Sequence, residues 1–272
     1  FIEHLSVTAG KYGYTVNVEK FFDDISINKK EDTIFAILKL KKSAQKETLS
    51  SSLIKQRRTS RGRYDSIPVK KVVLEELEKE ARFFNNTFYY TQDKDLINQL
   101  KTVNQEALFE DLENDDIRTE LDSLFRYNKI DAALKKDGLW ARCMGFAGGL
   151  LKSVFKDYQI WTKGISKKIL RNTYMSSFIG TTTICWHRGP FNTKVDYIDS
   201  GRMFARLWLK LTNSNLYIHP FGSLITNQSA HKKIKKHFYD KNDHQPIWMI
   251  YRLGYSKTPA RSYRLETDEF LI

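Results

Sequence analysis

Arg57, Arg58, Arg61 and Arg63 crowd into seven residues, with Thr59 and Ser60 between them and Gly62 beside them. A guanidinium fork matches two phosphate oxygens at once, and hydroxyls add neutral donors. Gly62 leaves room for backbone N–H groups to approach a ligand. The chemistry of such a run is the binding of an anion, a phosphate ester foremost. The competing reading, of equal weight on the residues alone, is a basic surface loop whose arginines cap neighbouring carbonyls. Other residues that could do chemistry are fewer. Cys143 and Cys185 could be nucleophiles, but their apolar neighbours favour buried, inert thiols. His187, within Trp186-His187-Arg188-Gly189, could donate a proton, although a satisfied structural histidine is the better reading; His219-Pro220 is a weaker candidate. Carboxylates abound over 95–122 but read as a solvated helical surface. No Walker lysine motif, GxGxxG or His-x-x-x-His pair occurs. No catalytic residue and no metal ligand is assigned.

The elements that must position these residues follow from periodicity. Residues 2–12 form a helix that stops at Gly13. Strands are expected over 16–22 and 34–40, the second an apolar run suited to the centre of a sheet. Residues 41–52 read as a linker. After Ile67-Pro68, residues 69–84 form an amphipathic helix with Val69, Val73, Leu77 and Ala81 on one face. A strand at 87–91 precedes one or two acidic helices over 95–125. Residues 145–154 are small and glycine-rich. Strands at 181–186 and 247–253 flank a helix at 197–212, and the tail from Ser256 is extended and basic.

The chain has 272 residues, 41% of them hydrophobic and 13% aromatic, enough for a full core. No apolar run approaches the roughly 20 residues of a membrane helix. Two cysteines point to a reducing, cytoplasmic setting. The net charge of +13 favours anionic partners. The basic run His231-Lys232-Lys233-Ile234-Lys235-Lys236-His237 has helical spacing; a solvated helix face outweighs a nucleic-acid groove there.

Part of the chain also recurs. Asp32-Thr33-Ile34-Phe35-Ala36-Ile37-Leu38-Lys39-Leu40 matches Gln245-Pro246-Ile247-Trp248-Met249-Ile250-Tyr251-Arg252-Leu253 in its order of apolar, aromatic and basic positions. Upstream, residues 1–16 line up with 203–218. A helix, a turn and a strand repeat in the same order, which reads as a pseudo-dimer whose first copy lacks its beginning.

The run 57–69, RRTSRGRYDSIPV, resembles the opening motif of FMN-dependent nitroreductases: Arg-Arg/His-Ser-x-Arg/Lys-x-Phe, then Pro and a long helix. Its Arg-Arg-Thr-x-Arg form is nearer the Acg-like subfamily, whose chains hold two nitroreductase-like halves. Gly201 to Leu209 resembles the family's glycine and leucine-rich helix, and Asp137-Gly138-Leu139 a mid-chain Asp-Gly pair. Ile250 to Tyr255, then Pro259 to Arg264, resembles the closing strand-x-Gly-Tyr-Pro…Pro-x-Arg. The resemblance covers 50–272 as a whole unit and 1–40 as the end of a preceding one.

It implies an α+β nitroreductase-like fold, a central, mostly antiparallel sheet flanked by helices, built as an internal pseudo-dimer. Residues 1–47 would be the remnant of a first half and 48–272 a complete half. The implied cofactor is FMN. Arg57, Arg58, Thr59, Ser60, Arg61 and Gly62 would meet its phosphate and ribityl chain, Arg261 and Arg264 would close on the phosphate, and the Gly222 backbone N–H would lie near flavin N5. The implied activity is reduction of a small electron-poor substrate with NAD(P)H, with a homodimer as one way to complete the site. The alternatives are a flavin-binding or flavin-sequestering module without turnover and, third, a nucleic-acid-binding module. Two departures stand out: the family's Pro-Ser-x-x-Asn-x-Gln-Pro-Trp segment is not found, and Gly62 replaces the usual basic ribityl contact.

Overall fold

The computed structural model describes residues 1–22, 34–44, 47–238 and 244–269. Asp32 and Thr33 of the recurring segment, residues 45–46 of the expected linker and the last three residues of the tail lie outside this set. In chain order the elements are α1 (Ile2–Lys11), β1 (Tyr14–Phe21), β2 (Ala36–Lys42), α2 (Ser52–Gln56), α3 (Lys71–Phe83), β3 (Thr87–Thr91) and α4 (Lys94–Asp111). There follow α5 (Asp115–Leu124), β4 (Phe125–Arg126), α6 (Lys129–Lys135), β5 (Leu139–Trp140), α7 (Gly148–Lys156), α8 (Gly164–Ser176) and β6 (Ile184–Arg188). The last elements are α9 (Lys194–Asn213), β7 (Tyr217–Pro220), α10 (Ser223–Thr226), α11 (Gln228–Lys235) and β8 (Ile247–Gly254).

The central sheet has the order β3-β6-β8-β7 and every neighbouring pair is antiparallel. This is the α+β class expected, with helices on both faces. Leu74, Leu77 and Ala81 of α3 and Met203, Leu207 and Leu211 of α9 pack on one face with Tyr251 and Leu253. Ile97 and Leu100 of α4, with Phe221, Leu224 and Ile234, pack on the other against Ile184 and Ile250. Each leucine, isoleucine, methionine or phenylalanine among these, fully buried, contributes about 1.5–3 kcal/mol. A third cluster, around Phe109, Phe125, Leu151 and Phe155, joins α4 to the layer formed by α5, α7 and α8.

Local signals set the boundaries. The α9 helix starts at Lys194, before the expected 197, because Thr193 and Asp196 form a reciprocal capping box. Asp93 and Asn114 cap α4 and α5 through the backbone N–H groups of their first turns. The strand expected over 181–186 runs instead from Ile184 to Arg188, all five residues buried.

The expectation that residues 34–40 form a central strand is not met. β2 pairs only with β1, in a separate two-stranded ribbon, and Ile37 and Leu40 are exposed. Its counterpart β8 is buried because β6 and β7 flank it and helices cover both faces; β2 has no such cover among the described residues. The two pairs do share a register: Val16 faces Leu40 in the ribbon, and Ile218 faces Leu253 in the sheet.

Candidate functional site

The arginine run leaves α2 and crosses the edge of the central sheet. Thr59 bridges to Ile218 of β7, and the Ser60 N–H donates to the Ile218 carbonyl at 3.1 Å. Further on, the Tyr64 N–H donates to Ile179 O and the Asp65 N–H to Tyr255 O. Tyr64 is buried and acts as a wedge. Its ring occupies the place where a Gly254 side chain would be, since a Cβ there would fall 2.7 Å from Tyr64 Cδ2. On the backbone side Gly180, at φ +80°, comes so near that a Cβ would fall 1.9 Å from Tyr64 O.

Arg252 fixes this loop from below. It is fully buried in β8, and its guanidinium donates to Gly62 O (2.8 Å), Ser60 O (3.3 Å), Ser177 O (2.7 Å) and Thr181 Oγ1 (3.2 Å). It lies over the rings of Tyr64 and Phe178 at 4.3 and 4.7 Å. Burial lowers its pKa, and nearby Arg61 lowers it further. The sequence reading did not single out Arg252. Its signal was there: a cation inside an otherwise apolar strand is seldom buried without a task.

The loop sorts the expected anchors into different roles. Arg57 stacks over Trp208 at 4.1 Å, and the Trp208 indole N–H donates to Arg58 O. Ser60 is buried with its hydroxyl 2.8 Å from that of Ser256. Both therefore shape the loop. Arg58 donates from one terminal nitrogen to the carbonyls of Lys55, Gln56 and Arg57, as the carbonyl-capping alternative expects, while its Nε is buried without a partner. Burial lowers its pKa and Arg261 lowers it further, so the two guanidiniums share one neighbourhood. Arg61 turns the other way, toward Cys143 O at 3.4 Å and a cavity that His219, Gly222 and Ser223 also line. Gly62 is exposed, with open space around its Cα. Among the described residues no carboxylate lies within ion-pair distance of Arg57, Arg58, Arg61 or Arg252. Arg261 reaches Glu266 only at 4.0 Å, and Arg264 is exposed and donates to its own neighbour, Tyr263 O.

His219 pairs with Arg252 across the sheet and stacks on Phe178, ring centroids 6.0 Å apart. It is 8% exposed and its Nδ1 has no partner. Burial, then Arg252 and Arg61, hold its pKa well below the ordinary range, so the ring is neutral at pH 7. His187 is a structural histidine, bonded to the Tyr251 hydroxyl at 3.1 Å and lowered by burial to about 3. Cys185 is fully buried and burial pushes its thiol well up. Cys143 differs from the expectation of an apolar niche: it touches Ala260 O and Ser262 Oγ beside Arg61. Asp137 forms a two-pronged pair with Arg126 at 2.7 and 2.8 Å. The 231–237 run lies on and just beyond α11, where Ala230 and Ile234 are buried and Lys233 pairs with Glu106. Among the described residues no cluster could hold a metal ion, and no helix is long and apolar enough to cross a membrane.

No family model and no curated protein matches the chain. Among solved structures it is similar to an FMN-bound nitroreductase from Desulfitobacterium hafniense, at 11% identity and TM-score 0.47 over 80% of this chain and 94% of that one. It is also similar to the FMN-dependent nitroreductase NfnB of Mycobacterium smegmatis in complex with NADPH, at 16% identity and TM-score 0.47 over the same shares. A nitroreductase-like family protein from Bacillus cereus matches at 16% identity and TM-score 0.42, over 82% of this chain and 94% of that chain. Likeness this distant transfers no residue role.

Proposed function

We propose that the chain is an FMN-dependent oxidoreductase of nitroreductase type. The observation that carries this reading is the arginine loop held against β7 by Arg252, with Arg58 and Arg261 sharing one neighbourhood and no carboxylate paired with Arg58. Two guanidiniums near enough to act on one another are a donor set suited to a phosphate monoester, whose charge would offset theirs. Arg58 and Arg261 would hold the phosphate, Thr59 and the backbone at Gly62 the ribityl chain, and the Gly222 N–H would approach the ring. Arg57 and Ser60 would act indirectly, by packing the loop. When bound, the flavin supplies two-electron transfer between a reduced nicotinamide and an electron-poor acceptor.

The order of the sequence landmarks, from RRTSRGRY to Pro259-Ala260-Arg261, supports the same reading. So does the shared register of the two strand pairs, for residues 1–47 as the end of a preceding half. A homodimer is a further element of the proposal. A flavin-binding module without turnover is favoured by Gly62, which leaves the usual basic ribityl contact unfilled.

The test is the absorbance spectrum of the purified chain, followed by FMN titration and NAD(P)H oxidation with a nitroaromatic acceptor. Tight FMN with turnover is expected. FMN binding without NAD(P)H oxidation selects the second reading, and a chain that stays colourless with added FMN overturns both.

A further inference from the structure

We propose that the cavity between the β7 end of the sheet and the helical layer α5–α8 is a binding site for a small amphipathic acid. Its apolar body would lie among Phe109, Phe125, Met144, Phe146, Leu151 and Phe155, and its carboxylate would meet Arg61.

The cavity has a volume of about 250 Å³. Interiors are packed to crystal-like density, and a dry cavity of about 150 Å³ already accepts a benzene-sized guest. A space larger than that in the third core cluster is therefore room for a ligand. Most of the lining is aliphatic and aromatic and comes from the helices, while Arg61, Asn104, Tyr174, Ser177, His219 and Ser223 supply the polar groups. Three of these come from the sheet edge and the segments beside it: Arg61 from the arginine loop, His219 from β7 and Ser223 from the start of α10. This is the composition of a pocket that buries an apolar ligand and orients it by a few polar groups.

Charge decides the class. Among the described lining residues Arg61 is the one that is formally charged, with no Asp, Glu or Lys beside it. Its hydrogen bond to Cys143 O is long, at 3.4 Å, and its nearby ionisable neighbours are Cys143, Tyr174, Tyr64 and Arg252, none of them a carboxylate. An arginine lining an apolar cavity, with no counter-ion among the described residues, is matched by a carboxylate, which accepts two N–H donors in one plane. The buried, unpartnered Nδ1 of His219 is a further polar atom toward the same end. Asn104 donates to the Tyr174 hydroxyl at 2.8 Å and so fixes the opposite wall. A flavin ring suits the body poorly, since its edge carries several polar atoms and the six side chains named above offer no partner.

The inference does not rest on the flavin reading, because its test needs no flavin. Calorimetric titration of the intact chain with octanoate and with 1-octanol reads the acid preference directly. Octanoate is expected to bind at least tenfold more tightly than octanol, and Arg61→Gln to remove that difference. Leu151→Trp, which fills the cavity, is expected to abolish octanoate binding in a chain whose circular dichroism and melting are retained. If Leu151→Trp fails to fold, the Arg61→Gln comparison still decides. Absence of octanoate binding, equal binding of octanol, or octanoate affinity unchanged in Arg61→Gln overturns the proposal. Competitive displacement of octanoate by FMN also overturns it, by assigning the cavity to the flavin.

Discussion

Arg202 and Arg206 on α9 face carboxylates, whereas Arg58, Arg61 and Arg252 face carbonyls and rings. At the α1–α9 seam, Arg206 reaches Glu3 at 3.1 Å, Glu47 at 2.9 Å and Glu80 at 2.9 Å, and Arg202 reaches Glu3 at 3.2 Å. Lys210 also pairs with Glu80. Glu3 is only 4% exposed and Glu80 9%, yet each has its cations. Carboxylates and cations here neutralise one another, so the cluster tethers α1 and the segment after β2 to the rest of the chain. The larger cavity beside it, about 580 Å³, is lined by Glu3, Glu47, Glu80, Arg202 and Arg206 from this cluster and by Lys79, so most of its charge is already paired. At the arginine loop the cations are held in place by neutral acceptors. Neutral acceptors position a guanidinium without cancelling its charge, and that difference separates a structural cluster from a binding one.

The contrast can be broken by substitution. The largest effect is expected at Arg252. Arg252→Met keeps the volume but strips donors from the carbonyls of Ser60, Gly62 and Ser177. At about 1–3 kcal/mol for each unsatisfied buried group, a loss of about 3 kcal/mol or more should appear in urea unfolding, together with loss of FMN binding. An unchanged midpoint would mean that Arg252 does not hold the loop.

Next is Glu80→Gln, which leaves Arg206 Nε and the Lys210 amine facing a neutral amide. Partial exposure of both cations tempers the cost to about 2 kcal/mol, read in the same unfolding experiment, with FMN affinity unaltered. A fall in FMN affinity at unchanged stability would erase the distinction between the two clusters.

Arg58→Ala should do the reverse. Stability should change by less than about 1 kcal/mol, while FMN affinity falls roughly tenfold or more as a charge-assisted contact is lost. Equal loss of both would class Arg58 with Arg57 as packing.

The smallest effect is on pH dependence. Burial raises the Glu47 pKa, but hydrogen bonds from Arg206 and from the Leu49 and Thr48 N–H groups outweigh it, leaving the carboxyl below 4.5. A depressed folded pKa stabilises above the unfolded value and loses that contribution as pH falls through the folded one. Acid unfolding below pH 4.5 should therefore weaken in Glu47→Gln, and a superimposable acid profile would remove Glu47 from the tether.

Much of the fold is legible in the residues. The 3.6-residue period of 69–84 becomes α3, and the apolar run at 247–253 becomes the buried β8. Of the candidate site, the basic run is legible, because it is a local pattern of residue type; its approach to the C-terminal tail is implied only by the resemblance. The division of labour within the run is not legible. Whether Arg57 stacks, Arg58 caps or Arg61 turns inward depends on Trp208, the end of α2 and Cys143, which the chain brings near only on folding.

By itself, then, the sequence determined which segments are amphipathic, which are apolar and where cations concentrate, since periodicity and composition act over a few residues. Tertiary structure alone decided that two similar strands meet opposite fates, β8 covered on both faces and β2 half-exposed, because burial depends on what packs against a strand. It also decided that Arg252 and His219, residues apart in the chain, sit side by side beneath the arginine loop. Antiparallel pairing of β7 with β8 sets that neighbourhood, and register is a property of two strands together.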